Sequence, residues 1–90
     1  MTKKELREKI KNCKEWEETV EILLKNKNIL YSLGEGLRGK IIRFNNENNE
    51  FEFKPIKNDA YYNEKTKIGD DFIICLEYGN FILDFLDEKI

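Results

Sequence analysis

The sequence predicts an α+β fold: one N-terminal amphipathic helix packed on a four- or five-stranded antiparallel sheet, a meander of hairpins. Three observations point there. Leu6, Ile10, Cys13, Val20 and Leu24 recur at three- to four-residue steps, the apolar stripe of a helix. Short β-prone runs then follow one another, separated by Gly- and Asn-rich stretches. The last of these, 72–78 and 81–87, flank Gly79-Asn80, a two-residue turn signal that reads as a hairpin.

The chain of 90 residues is expected to form one domain, 1–90, with a helix over 2–26 and a sheet over 29–87. Thr2 followed by Glu5 is a capping-box pattern and starts the helix. The stripe skips at Trp16 and Glu17, and the Asn residues at 26–28 stop it. Trp16 sits at the margin of the stripe, where it reads as a wedge against the sheet or as an exposed binding edge.

Ile29, Tyr31 and Leu33 alternate with Leu30 and Ser32, which fits a strand over 29–33 or a last helical turn, the strand being favoured. Runs 39–44 and 50–56 flank an Asn-rich tip. A four-residue loop of 46–49 sets Phe44 opposite Phe51, Ile42 opposite Phe53 and Arg43 opposite Glu52. Pro55 cannot donate to a ladder, so this strand lies at an edge or ends there. The polar stretch 57–71 has no clean periodicity and is expected to be a long functional loop or to contain a short helix. In the terminal hairpin Ile74, Leu76, Tyr78, Phe81, Leu83 and Phe85 share the core face. Glu77, Cys75, Ile73, Ile82, Asp84 and Leu86 share the other.

Composition narrows the function. The chain is 40% apolar and 38% charged, which suits a folded soluble protein better than a disordered one. No apolar run reaches the ~20 residues of a membrane helix. The start has no apolar leader, so a cytoplasmic location and no membrane partner are expected. Frequent Lys, Asn, Ile and Glu suggest an AT-rich genome, bacterial or phage. Cys13 and Cys75 read as reduced thiols, not a disulfide. There is no histidine, the commonest general base and metal ligand. No catalytic residue, no cofactor and no metal site is expected, and the chain reads as a non-enzyme.

Gly34-Glu35-Gly36-Leu37-Arg38-Gly39 matches Gly-x-Gly-x-x-Gly. Over about nine residues, Leu33 to Ile41, it resembles the phosphate-covering glycine loop of protein kinases, which also joins two strands. The lysine strand, the His-Arg-Asp loop and the Asp-Phe-Gly of that family are absent, so the stretch reads as a glycine-rich turn.

Charge is uneven: residues 1–43 sum to +4 and residues 44–90 to −6, giving the net −2. An acidic C-terminal half repels phosphate backbones and argues against nucleic acid there. The expected function is a small protein-binding module, an inhibitor or antagonist of another protein, with Tyr61, Tyr62, Asp70, Asp71, Glu77, Asp84 and Asp87 on the partner side. In size and charge it resembles toxin immunity proteins and anti-CRISPR inhibitors. Such an acidic surface would block a basic nucleic-acid channel of its target. The alternative is a small nucleic-acid-binding module using Lys3, Lys4, Arg7, Lys11 and Lys14 of the basic helix, with Arg38, Lys40 and Arg43. A carboxylate or metal enzyme built on Asp70, Asp71, Glu77 and Asp84 ranks last. A homodimer through Ile73, Ile82 and Leu86 is a further arrangement the mixed hairpin face allows.

Overall fold

The computed structural model describes residues 1–34, 37–55 and 73–90. The architecture is α+β with an antiparallel sheet. The element order is α1 (Lys3–Lys11), α2 (Trp16–Lys25), β1 (Tyr31–Gly34), β2 (Leu37–Asn45), β3 (Glu50–Pro55), β4 (Ile74–Glu77) and α3 (Tyr78–Leu86). The four described strands lie in the order β1-β2-β3-β4.

The single helix expected over 2–26 is two helices. The capping box forms as the pattern requires: the Glu5 amide donates to the Thr2 hydroxyl at 3.1 Å, and the Thr2 amide donates to the Glu5 carboxylate at 3.3 Å. Asn12 ends α1 at φ −91°, ψ −2°, and α2 starts at Trp16 after an N-cap, Glu15, that makes no side-chain capping hydrogen bond. The skip in the apolar stripe is the cause. Leu6 and Ile10 are buried on α1, whereas Thr19, Val20 and Leu23 are buried on α2. One straight helix cannot aim both sets at the same core, so the chain breaks between them.

The β2–β3 hairpin holds the expected pairs Phe44↔Phe51 and Arg43↔Glu52, but not Ile42↔Phe53. Phe53 pairs with Ile41, and Ile42 is the extra residue of a bulge. The reason is parity. Leu37, Gly39 and Ile41 are buried at odd positions, and Phe44 faces the core at an even one. An inserted residue lets both sets point inward. The tip spans 46–49, with the Asn45 carboxamide oxygen accepting from the Glu47 amide at 3.0 Å and Asn49 at φ 57°. The glycine motif has a structural use at both described glycines outside its centre. Gly34 lies at φ +96°, and a Cβ on Gly39 would sit 2.6 Å from the Lys54 carbonyl oxygen.

The terminal hairpin is not formed. Residues 74–77 are a strand, but they pair with β3, not with 81–87: Phe51↔Leu76, Glu52↔Cys75 and Phe53↔Ile74. Residues 78–86 are helix α3, with Gly79-Asn80 in its first turn. Tyr78, Phe81, Ile82, Phe85 and Leu86 follow the i, i+3, i+4, i+7, i+8 spacing of a helix face, a period that competes with alternation over so short a run. All five pack in the core cluster or against it. Leu83, expected in the core, is 62% exposed.

The core is aromatic. Tyr31 makes edge contacts to Phe53, Phe81 and Phe85 at 5.9, 5.3 and 5.5 Å between centroids, and Phe81 stacks on Phe85 at 6.1 Å and 7°. The Tyr31 hydroxyl is buried with no hydrogen-bond partner among the described residues, and burial pushes its pKa up. Arg7 of α1 reaches α3: its Nε donates to the Phe85 carbonyl at 2.6 Å, its Nη2 donates to the Ile90 main-chain oxygen at 2.6 Å, and its guanidinium lies 4.6 Å over the Phe85 ring.

The end of α3 is a Schellman motif. The Lys89 amide donates to the Asp84 carbonyl at 2.9 Å and the Glu88 amide to the Phe85 carbonyl at 3.1 Å. Glu88, at φ 62°, occupies the left-handed position that usually holds glycine. Replacing Glu88 with Gly is expected to stabilise the protein by about 1 kcal/mol, seen as a raised midpoint in urea denaturation; an unchanged or lower midpoint contradicts this.

A second prediction separates helix from hairpin at the C-terminal run. Phe85→Ala should cost about 3–5 kcal/mol by opening the core, while Leu83→Ala should cost about 0.5 kcal/mol or less. Chemical denaturation of the two variants checks it, and equal costs would restore the strand reading, in which both side chains are buried.

Candidate functional site

Helix α3 places two of the expected residues together, for a different reason than a hairpin would. Glu77 is its N-cap residue and Asp84 lies two turns on, about 10 Å along the axis. Both line one groove of about 360 Å³ with Asn80 of α3, Ser32 to Gly34 of β1, and Cys75 and Leu76 of β4. β1 and β4 are the two edges of the described sheet. Residues from both edges line this groove, so the sheet curls and brings them toward α3. Lys89 is the basic residue on the rim.

Asp87 is exposed at the C-cap of α3 and lies outside the lining of this groove. Tyr61, Tyr62, Asp70 and Asp71 lie outside the described residues. Of the three side chains that could cover a dimer face, Ile82 and Leu86 pack against the core of their own chain, and Ile73 is 42% exposed.

Acid–base character at the groove is set by neighbours. The Cys75 thiol is pushed up by partial desolvation and then by the Glu50 and Glu52 carboxylates, which disfavours the nucleophilic thiolate. Behind it, Arg43 grips Glu52 with both forks: Nε to Oε1 at 2.7 Å and Nη2 to Oε2 at 3.0 Å. These hydrogen bonds hold the Glu52 carboxyl below its ordinary 4.5 and raise Arg43. Among the described residues no group of three or more His, Cys, Asp or Glu is placed to hold a metal ion.

The basic residues are divided. Arg7 is committed to the carbonyls beside α3, and Arg43 to Glu52. Lys3 lies 5.8 Å over the Tyr31 ring, and burial, then Arg7, then Arg38 lower its pKa. These three cations therefore share a neighbourhood that spacing along α1 alone did not reveal.

A second concavity, of about 410 Å³, was only hinted at by the off-stripe position of Trp16. Trp16, Glu17, Val20, Glu21, Leu24 and Lys25 of α2 line it, with Asn46 of the β2–β3 tip. Trp16 does wedge against the sheet, with its ring 6.0 Å from Phe44 and 6.2 Å from Tyr78, yet it remains 46% exposed. No helix among the described residues is long and apolar enough to cross a membrane. No family model, curated protein or solved structure matches the chain.

The Arg43–Glu52 pair gives a pH prediction. A carboxyl whose folded pKa is depressed contributes stability above its unfolded value, lost as pH falls through the folded one. Stability should therefore drop as pH falls below about 4.5, the ordinary value of Glu52. Glu52→Gln should be less stable at pH 7 and flatter across that window. Urea midpoints at pH 7 and pH 3 test this; parallel losses in both proteins would count against it.

Proposed function

We propose that this chain is a non-catalytic protein-binding module that antagonises a bacterial or phage protein, acting from the cytoplasm. The observation that carries the reading is the groove framed by β1, β4 and α3, with Glu77 and Asp84 on its rim. β1 and β4, the edges of the sheet among the described residues, offer backbone to a partner's strand, and carboxylates on the rim select a basic one. Asp87 and Glu88, exposed past the end of α3, extend the acidic surface. A partner with a basic nucleic-acid channel would meet carboxylates where it expects phosphates, which is the anti-CRISPR-like form of the proposal. The immunity-protein-like form needs only a basic active-site cleft.

A second reading, a nucleic-acid-binding module, draws on the shared neighbourhood of Lys3, Arg7 and Arg38. The hydrogen bonds that engage Arg7 and Arg43 reduce the charge available to phosphates, so it ranks below the first.

Charge reversal tests the choice. Affinity purification with the tagged chain should retain a protein with a basic surface, identified by mass spectrometry and inhibited by the purified chain. Glu77→Lys with Asp84→Lys should weaken that complex at least about tenfold while leaving the circular dichroism unchanged. Undiminished binding by the double variant would overturn the assignment to this groove, and salt-dependent binding of DNA or RNA by the wild type without a protein partner would overturn the proposal in favour of the second reading.

A further inference from the structure

Trp16 occupies a position that local rules do not favour. It is the first residue of α2, whose N-cap Glu15 makes no side-chain capping hydrogen bond, and it is the only tryptophan of the chain. A large apolar side chain left 46% exposed gives up much of the stabilisation its burial could supply. It is nonetheless held in place: Phe44 and Tyr78 back it, and those two rings contact each other at 6.2 Å and 81°. A rigid, backed aromatic with one free face has the character of a binding anchor, because little conformational freedom is left to lose.

The surface around it has a shape and a charge. Trp16, Val20 and Leu24 are spaced i, i+4, i+8 and form an apolar row about 12 Å long. Two turns of a partner helix cover that length. Glu17 and Glu21 stand along the row, and Glu15 and Glu18 add two more exposed carboxylates nearby. Lys25 is the basic residue lining this groove, and it is paired with Glu21 at 2.9 Å. The cavity wall is therefore apolar at its floor and acidic at its rim.

We infer that this groove is a second docking surface, distinct from the one lined by Glu77 and Asp84, and that its occupant is a cationic amphipathic helix of a partner protein. Apolar side chains of that helix lie along Val20 and Leu24. Its lysines or arginines meet Glu17 and Glu21, and one of them lies over the free face of the Trp16 indole. Charge complementarity is what selects this occupant. A second copy of the chain would have to bring its own basic surface, α1, whose lysines are interleaved with Glu5 and Glu8.

Because Trp16 is the only tryptophan, its fluorescence reports on this groove alone. The probe is a synthetic lysine–leucine helix of about 15 residues, free of aromatics and long enough to be helical. Its control is the same peptide with glutamates for lysines. The lysine peptide should shift Trp16 emission to the blue, protect it from acrylamide and saturate. Glu17→Lys with Glu21→Lys should weaken this at least about tenfold, and the milder Glu17→Gln with Glu21→Gln should weaken it less but measurably. Glu77→Lys with Asp84→Lys should leave it within about twofold, which separates this inference from the proposed function. No saturable shift, an equal response to the glutamate peptide, or an equal loss from the Glu77/Asp84 variant would overturn it. A blue shift that grows with protein concentration and no peptide would instead assign the groove to a second copy.

Discussion

The seating of Phe81 and Phe85 against Tyr31 is the contact on which the rest of the molecule depends. Those two rings stack on each other and meet Tyr31 edge-on, while Phe81 also packs on Phe51 and Phe53 of β3. They stand one helical turn apart. A strand would also put the two on one face but about 13 Å apart, whereas a helix brings them within one turn, 6.1 Å between ring centroids, so the aromatic core and helix α3 require each other. Burial of both rings is worth several kcal/mol, far more than the local turn preference of Gly79-Asn80.

Arg7 makes that arrangement cooperative. Its planar fork answers carbonyls at the end of α3 and its face covers Phe85, so the first helix and the last are fastened through one side chain. A cation is favoured there by the helix dipole as well. The same side chain is thereby withdrawn from the basic surface that spacing along α1 suggests. Position in the fold, and not charge alone, decides which residues are free to meet a partner.

Both candidate surfaces follow from how the helices are seated. With α3 on the curled sheet, the two edge strands face a groove that carries Glu77 and Asp84. With α2 broken away from α1, its uncapped first residue presents Trp16 beside the β2–β3 tip. Breaking the helix at Asn12 solves a packing problem for Leu6, Ile10, Val20 and Leu23, and the exposed indole is a by-product that a partner can use. Glu88 in the left-handed position is one place where the chain departs from the most stable local choice, and the buried Tyr31 hydroxyl, without a partner among the described residues, is another.

The α+β class, the capping box, the 46–49 tip and the Arg43–Glu52 and Phe44–Phe51 pairs were all written in the sequence, because each rests on hydrophobic periodicity, a local cap or a short turn that sets the register. The bulge at Ile42 was legible only as a change of parity between Ile41 and Phe44. A hairpin would set Glu77 and Asp84 on one mixed face; in the fold they share a groove as N-cap and second-turn residues of a helix instead. What the sequence determined by itself was composition, local caps and turns, and which residues want burial. The tertiary structure decided the rest: whether 78–86 is a strand or a helix, where the first helix breaks, and which acids and which aromatic are left facing outward. The physical reason is that a short apolar run satisfies periods of 2 and 3.6 almost equally well, and only the partners it packs against, Tyr31, Phe51 and Phe53, separate the two.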